Sequence, residues 1–309
     1  MTAAATTTAT FAQSVSLGAD SLVRLACALS SETPLCIQGE TAQGKSEIVS
    51  QIAALRRSDF YKSTENCRAM VAAWNSLSDD TDKMDASWSF DRGVPLVMRR
   101  LSQLTEGDLL GVPSTNAITG GTRFTCTDWL HFVARFPSLL FLDERNRALE
   151  AVKQSIFEMQ DSRAFHGIRF HAETFLVMAE NVGDQYNVQA LDPAEMARAA
   201  VVTCRPTVLE WLTWAERSHV HAAVISFIRK NETGAYGEGI LEFRGTREPN
   251  KRYPDRRAWV KVSKELTRNK LWDAPTDGLL YHIACSLVGV EAGGKFAAFC
   301  KDFTREITA

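Results

Sequence analysis

Three stretches of the chain run apolar and then stop on polar residues: LCIQGE from Leu35, PSLLFLDE at 137–144 and TFLVMAEN at 174–181. Short runs without polar alternation predict strands buried on both faces, as in a parallel sheet, rather than strands with one wet side. PLVMRRLSQL (95–104) predicts a further strand. Apolar positions recur at helical spacing over 20–30 and again in EIVSQIAALRR from Glu47, which predicts a helix on each side of the first strand. From PTVLEWLTWAERS (206–218) onward the pattern is mostly helical and closes with GLLYHIACSLV and KFAAFCKDF. Trp211 and Trp214 lie three apart on one helix face and read as core. Residues 234–255 are rich in glycine and turn formers and predict an irregular segment. The whole pattern predicts a doubly covered α/β core over 20–204 with a parallel sheet, then a smaller α-helical domain over 205–309.

The first of these strands opens directly into GETAQGKS, with the spacing G-x-x-x-x-G-K-[ST]. Gly39 and Gly44 let the backbone wrap an anion, Lys45 reaches the β- and γ-phosphates, and the Ser46 hydroxyl is offered to Mg²⁺. The loop amides then lie at a helix N-terminus, where phosphate is favoured. Candidate nucleotide contacts are therefore Gly39, Glu40, Thr41, Ala42, Gln43, Gly44, Lys45, Ser46 and Glu47. The competing reading is an ordinary glycine-containing strand-to-helix turn, and the flanking strand and helix tell against it.

A buried strand ending in two acids meets a ligand crevice at its carboxyl edge. In nucleotide hydrolysis the acids have different tasks: Asp143 binds Mg²⁺ and Glu144 polarises the attacking water. Taken alone, the pair could equally be an acidic helix cap; after a phosphate loop on the same chain it is more specific. Asn181, closing the third strand, can orient the water or touch the γ-phosphate. Alone it would be a strand ending in a turn.

Composition narrows the remaining classes. The chain has 309 residues and a formal net charge of -2, so nothing attracts it globally to nucleic acid or an anionic membrane. No apolar stretch reaches membrane-spanning length, and the low-complexity opening reads as a disordered tail over 1–19. Its seven cysteines include no C-x-x-C pair, which predicts a reduced, cytoplasmic protein with packed thiols and tells against zinc. His166 with His171, and His219 with His221, lack a partnering cluster and read as surface or capping residues. Residues 58–93 exceed what a strand–helix–strand step requires and read as an insertion with a helix at NCRAMVAAW; Trp74 and Trp88 in it are packing residues or an adaptor contact. ITGGTRF predicts a hairpin, as does DSRAFHGIRFH at 161–171. Arg123, Phe124, Arg163, Phe165 and His166 on these loops are candidate contacts with a substrate or partner; bare hairpin tips are the alternative.

In this order the residues resemble an AAA+ ATPase of the MoxR branch, within the helix-2-insert clade. LTEGDLLGVP (104–113) with GGTRFTCTDWL (120–130) is similar to the family's segment leading into its helix-2 insert, at about 114–126 here. FLDERNRA (141–148) is close to L-D-E-x-N-R-A, with Arg145 replacing the usual aliphatic residue and putting a charge near the nucleotide. ALDPAEMARAAVV (190–202) resembles the arginine-finger stretch, with Arg198 at the arginine position, although AEMARAA also reads as an ordinary helical run. YPDRRAWVKVSKEL (253–266) resembles the sensor-2 segment, with Arg257 the best match and Arg256 a rival. The phosphate loop carries Ala42 where many relatives have glycine.

The resemblance implies a P-loop NTPase core of three layers, α/β/α, with a helical lid. It also implies a hexameric ring with ATP between subunits, Arg198 acting on the neighbour's γ-phosphate and Arg257 sensing nucleotide from the lid. Such a ring would hydrolyse ATP with Mg²⁺ to remodel or assemble a partner, chaperone-like, with a von Willebrand factor A domain protein as the family's usual companion. Two rivals stand beside this. A nucleic-acid motor or loader is suggested by the basic clusters at 56–57, 99–100 and 251–257, and an ATP-binding scaffold with little turnover by Arg145 and the finger assignment.

Overall fold

The computed structural model describes residues 15–78, 82–182, 197–237, 239–245, 247–271 and 278–308. They fall into two compact units, the first built from residues 15–17, Leu22–Gly39 and Ile48–Cys204, the second from Gly18–Ser21, Glu40–Glu47 and the chain from Arg205.

The first unit is organised by a six-stranded parallel sheet with flanking helices. Its strands are β1 (Val15–Leu17), β2 (Leu35–Gly39), β3 (Leu96–Arg100), β6 (Leu139–Asp143), β9 (Phe175–Asn181) and β10 (Ala200–Cys204), in the order β1-β10-β2-β9-β6-β3. Every pairing in it is parallel. Parallel neighbours need long crossovers, and the chain supplies them with α1 (Ala19–Ala28), α2 (Lys45–Leu55), α3 (Thr64–Leu77), α5 (Asp128–Arg135) and α6 (Glu150–Ser162). The inner strands β6 and β9 are apolar because both their faces are covered: Leu139 to Leu142 and all of Phe175–Asn181 are buried. The edge strand β1 is largely exposed, as an edge can be.

Between β3 and β6 the short helix α4 (Glu106–Leu110) leads into an antiparallel hairpin of β4 (Val112–Thr115) and β5 (Thr122–Thr125), with Thr115 opposite Thr122. A second, smaller hairpin joins β7 (Ala164–Phe165) to β8 (Ile168–Arg169). The described parts of the 58–93 segment are built into this unit. Tyr61 is buried and donates from its hydroxyl to the Pro137 carbonyl at 2.7 Å, Trp88 packs edge-on against Tyr61, and Trp74 packs edge-on against Phe132. Both tryptophans thus have packing partners.

Several expectations change. Val15–Leu17, assigned by composition to the tail, forms the edge strand beside β10; residues 1–14 lie outside the described residues. The 95–104 run ends as a strand at Arg100 and continues as a 3₁₀ turn, Leu101–Gln103. The AEMARAA run is not a helix at its described end: residues 197–199 form a turn and bend, and β10 starts at Ala200. Of the candidate hairpin contacts, Phe165 is buried, and Arg163 Nη2 donates to the carbonyls of His171, Ala172 and Thr174, so neither is offered to a ligand. Phe124 and His166 are exposed; the Arg123 side chain lies outside the described residues.

The second unit is helical: α7 (Val208–Arg217), α8 (Ala222–Asn231), α9 (Arg256–Asn269), α10 (Leu279–Val288) and α11 (Val290–Thr308). Thr207 and Glu210 form a capping box that starts α7. The core centres on Trp259, Phe227 and Phe296, with ring centroids 5.2–5.5 Å apart. Trp211 is buried there, as its helical spacing with Trp214 predicts. Among the described residues no helix is long and apolar enough to cross a membrane.

Candidate active site

Sheet register fixes what meets at the carboxyl edge of the first unit. Gly39, the last residue of β2, lies opposite Asn181, the last of β9, and the Val182 N–H donates to the Gly39 carbonyl at 3.1 Å. On the far side of β9, Leu142 of β6 lies opposite Met178, and Asp143 follows as the final residue of β6. Three of the candidate positions therefore lie toward one carboxyl edge because their strands run parallel, although β6 pairs with β9 only as far as Met178 and ends short of the Gly39–Asn181 rung.

Beyond Gly39 the chain turns through residues 40–44 before α2 starts at Lys45. Two residues of the turn take left-handed backbone angles, Ala42 at φ 68° and Gly44 at φ 82°. Glycine adopts this freely, whereas alanine there costs about 1–2 kcal/mol. Lys45 is buried and its Nζ donates to the Glu40 carbonyl at 2.8 Å, which folds the ammonium back onto the loop. Gln43 is also buried, while Thr41 and Gly44 are exposed. A Cβ built on Gly44 would meet nothing within 4 Å, so there is open space at that position of the turn. In the same unit as this loop, Trp214 Nε1 donates to Glu47 Oε1 at 3.2 Å.

Asp143 is half-buried and accepts the Glu144 N–H on Oδ1 at 2.8 Å. Glu144 itself lies outside the strand, with φ 56° and ψ 38°, a left-handed conformation that a non-glycine residue holds only when its surroundings fix it. Two contacts do so: the Ser102 hydroxyl donates to Glu144 Oε2, and Arg147 Nη1 lies 3.9 Å from Oε1. Asn146 grips the backbone of Asn181 at both polar groups, its Nδ2 donating to the carbonyl at 2.6 Å and its Oδ1 facing the N–H at 3.4 Å.

Arg145 departs from expectation. Its guanidinium is turned into the sheet, where Nη1 pairs with Glu180 Oε1, and both side chains are only 5% exposed. Gln38 Nε2 donates to the other Glu180 oxygen at 3.3 Å. A buried guanidinium must be matched by a carboxylate, so the charge is spent inside the fold. Sequence reasoning passed over Glu180, Gln38, Asn146 and Ser102. The available signal was a polar residue at the penultimate position of two otherwise apolar strands.

The remaining candidates lie apart from this edge or in the second unit. Arg198 sits in the turn before β10, its Nε 2.8 Å from each Asp161 oxygen and its guanidinium 5.2 Å from the Phe157 ring, against α6. Residues 190–196 of the finger stretch lie outside the described residues. The two rival arginines of α9 divide. Arg256 is buried, with Nε 3.1 Å from Glu242 Oε2 and Nη2 2.6 Å from the Pro206 carbonyl, whereas Arg257 is exposed. Burial pushes the Glu242 carboxyl up, against the opposing pull of Arg256 and Arg244. Among the described residues no group of three or more His, Cys, Asp or Glu side chains could hold a metal ion by itself.

No family model and no curated protein matches the chain. Among solved structures it is similar to a protein from Cytophaga hutchinsonii described as a candidate ATPase, with a TM-score of 0.40 and 12% identity over 93% of this chain and 77% of that one. It is also similar to Hsp104 in a closed state with ATPγS and FITC-casein, with a TM-score of 0.37 and 16% identity over 64% of this chain and 34% of that one.

Proposed function

We propose that this protein is a MoxR-like AAA+ ATPase that hydrolyses Mg·ATP. The observation that carries the reading is the shared carboxyl edge of β2, β6 and β9, which gathers Gly39, Asp143 with Glu144, and Asn181, with the G-x-x-x-x-G-K-S turn leaving that edge directly. Open α/β sheets bind ligands in this crevice.

The residues present fit the nucleotide and its metal. The left-handed Ala42 and Gly44 shape a turn whose amides can face phosphate, and Lys45 supplies a cation beside it. Ser46 and Asp143 are hard oxygen donors suited to Mg²⁺ alongside phosphate oxygens. With Mg·ATP bound, the metal would neutralise charge developing between the β- and γ-phosphates. Glu144 accepts the proton of the attacking water, and Asn181 orients that water. Arg198 acts as the arginine finger toward a neighbouring copy in a ring, a hexamer in this reading, and Arg257 senses nucleotide from the lid. Release of Arg198 from Asp161 is then part of assembly. The work of the ring is to remodel or assemble a partner protein, with a von Willebrand factor A domain protein the expected companion.

Glu144→Gln tests the assignment. The variant should bind ATP with parental affinity while turnover drops by about 10²–10⁴, the range for losing a general base. Parental turnover in that variant would remove Glu144 from the role. A nucleic-acid motor is the second reading, favoured by the exposed Arg257, Lys261, Lys264 and Arg268 along one face of α9. Strong, salt-sensitive stimulation of ATP turnover by DNA would select it.

A further inference from the structure

Five charged side chains are buried among the described residues: Lys45, Arg145, Glu180, Glu242 and Arg256. In the sheet, the buried charge is the Arg145–Glu180 pair, with Gln38 as its third member. Each member is one residue from a candidate site position. Gln38 precedes Gly39, where the phosphate loop begins; Glu180 precedes Asn181; Arg145 follows Glu144. Gln38 and Glu180 also form the register rung next to the Gly39–Asn181 rung.

We infer that Arg145, Glu180 and Gln38 are positioning residues. They form a buried polar bridge that locks the start of the phosphate loop, the turn carrying Glu144 and the strand end carrying Asn181 into one geometry. Glu144 is held in a left-handed conformation, and a turn so strained needs its neighbours pinned. Arg145 pins it from the following residue, and Asn146 ties the same turn to the backbone of Asn181. A buried ion pair contributes little to stability compared with apolar residues of similar volume, so stability alone does not explain one here. Fixing reacting groups does, because a displacement of about 1 Å can cost 10²-fold in rate.

The inference rests on the proposed ATP hydrolysis, and the test separates the two. Arg145→Met with Glu180→Met removes both charges and leaves apolar side chains of similar length. The double variant should melt at or above the parental temperature, bind ATP with a KM within about twofold of the parent, and lose about tenfold or more in kcat. Parental kcat in a folded double variant would overturn the bridge while leaving the hydrolysis reading intact; a parent protein that turns over no ATP takes both down. Should the double variant not fold, Arg145→Lys decides. It keeps the charge without the forked donor, so a several-fold loss of kcat at unchanged KM supports positioning and parental kcat refutes it.

Discussion

The neighbouring arginines at the start of α9 should fail in opposite ways. Arg256→Met removes a guanidinium that is 3% exposed and donates to Glu242, to the Pro206 carbonyl at 2.6 Å and to the Tyr236 carbonyl at 3.3 Å. The carboxylate left behind is itself buried, and its other cation, Arg244, lies 3.8 Å away. Breaking a buried pair from one side costs about 3–5 kcal/mol, a large share of the 5–15 kcal/mol that holds an ordinary domain together. At ~4 °C per kcal/mol or more for a unit of this size, the melting temperature should fall by about 10 °C or more. The loss should be larger at pH 8 than at pH 5. Burial has already pushed Glu242 up, and without Arg256 it rises further, so the folded state keeps its stability at low pH and loses it as pH rises through that group's titration. Arg257→Ala touches an exposed side chain and should move stability by less than about 0.5 kcal/mol while weakening nucleotide binding. Calorimetry and a fluorescent-nucleotide titration on both variants decide the matter. A parental melting temperature for Arg256→Met, or intact nucleotide affinity for Arg257→Ala, would refute the division. Glu242→Met added to Arg256→Met should recover most of the lost stability, because removing both charges costs less than stranding one.

Two further expectations concern the fold. His221 Nδ1 accepts the Ala223 N–H at 3.2 Å at the start of α8, His171 Nδ1 accepts the Glu173 N–H at 3.1 Å, and burial holds both rings below the usual histidine range. Their neutral forms are therefore favoured on folding, so stability should be full above about pH 6.5 and fall as pH drops through the folded values, and His221→Asn, which keeps an uncharged cap acceptor, should remove His221's share and make that dependence shallower in urea titrations at pH 7.5 and 5.5. Gly93 sits at φ 89° where an added Cβ would come 2.2 Å from the Ala53 carbonyl oxygen, so Gly93→Ala should destabilise by about 2 kcal/mol or more in the same assay, and a shift within 0.5 kcal/mol would contradict the tight approach.

What the sequence made legible is what one-dimensional patterning can carry. Apolar runs without alternation marked β2, β6 and β9, because strands covered on both faces have no polar side to display. Helical spacing marked α1, α7 and the two C-terminal helices. The misses have physical causes. β1 is a three-residue edge strand with two exposed positions, so no hydrophobic signal distinguished it from a low-complexity leader. β10 follows a run whose residues favour helix, and its pairing with both β1 and β2 overrides that local preference. Which of Arg256 and Arg257 is buried, left open by the sequence, depends on which one meets Glu242 in an irregular segment, and no periodicity encodes that.

The polar positions inside β2 and β9 carry the same lesson further. Taken singly, Gln38 and Glu180 each look like a blemish in an apolar strand; register makes them partners, and the turn after β6 brings Arg145 to them. Deeper rungs of the same strands are apolar, with Cys36 opposite Met178 and Leu35 opposite Val177, so the sheet shows that hydrophobic residues serve perfectly well as its filling. Polarity begins only on the last two rungs, next to where the strands deliver Gly39 and Asn181. Dispersion and burial hold a sheet together but specify direction weakly, whereas an ion pair and its hydrogen bonds are satisfied in one geometry and are costly in others. A sheet that only had to be stable would carry its apolar pattern to the edge. This one changes chemistry one residue short of it, and the change coincides with the residues whose placement a phosphoryl transfer would demand.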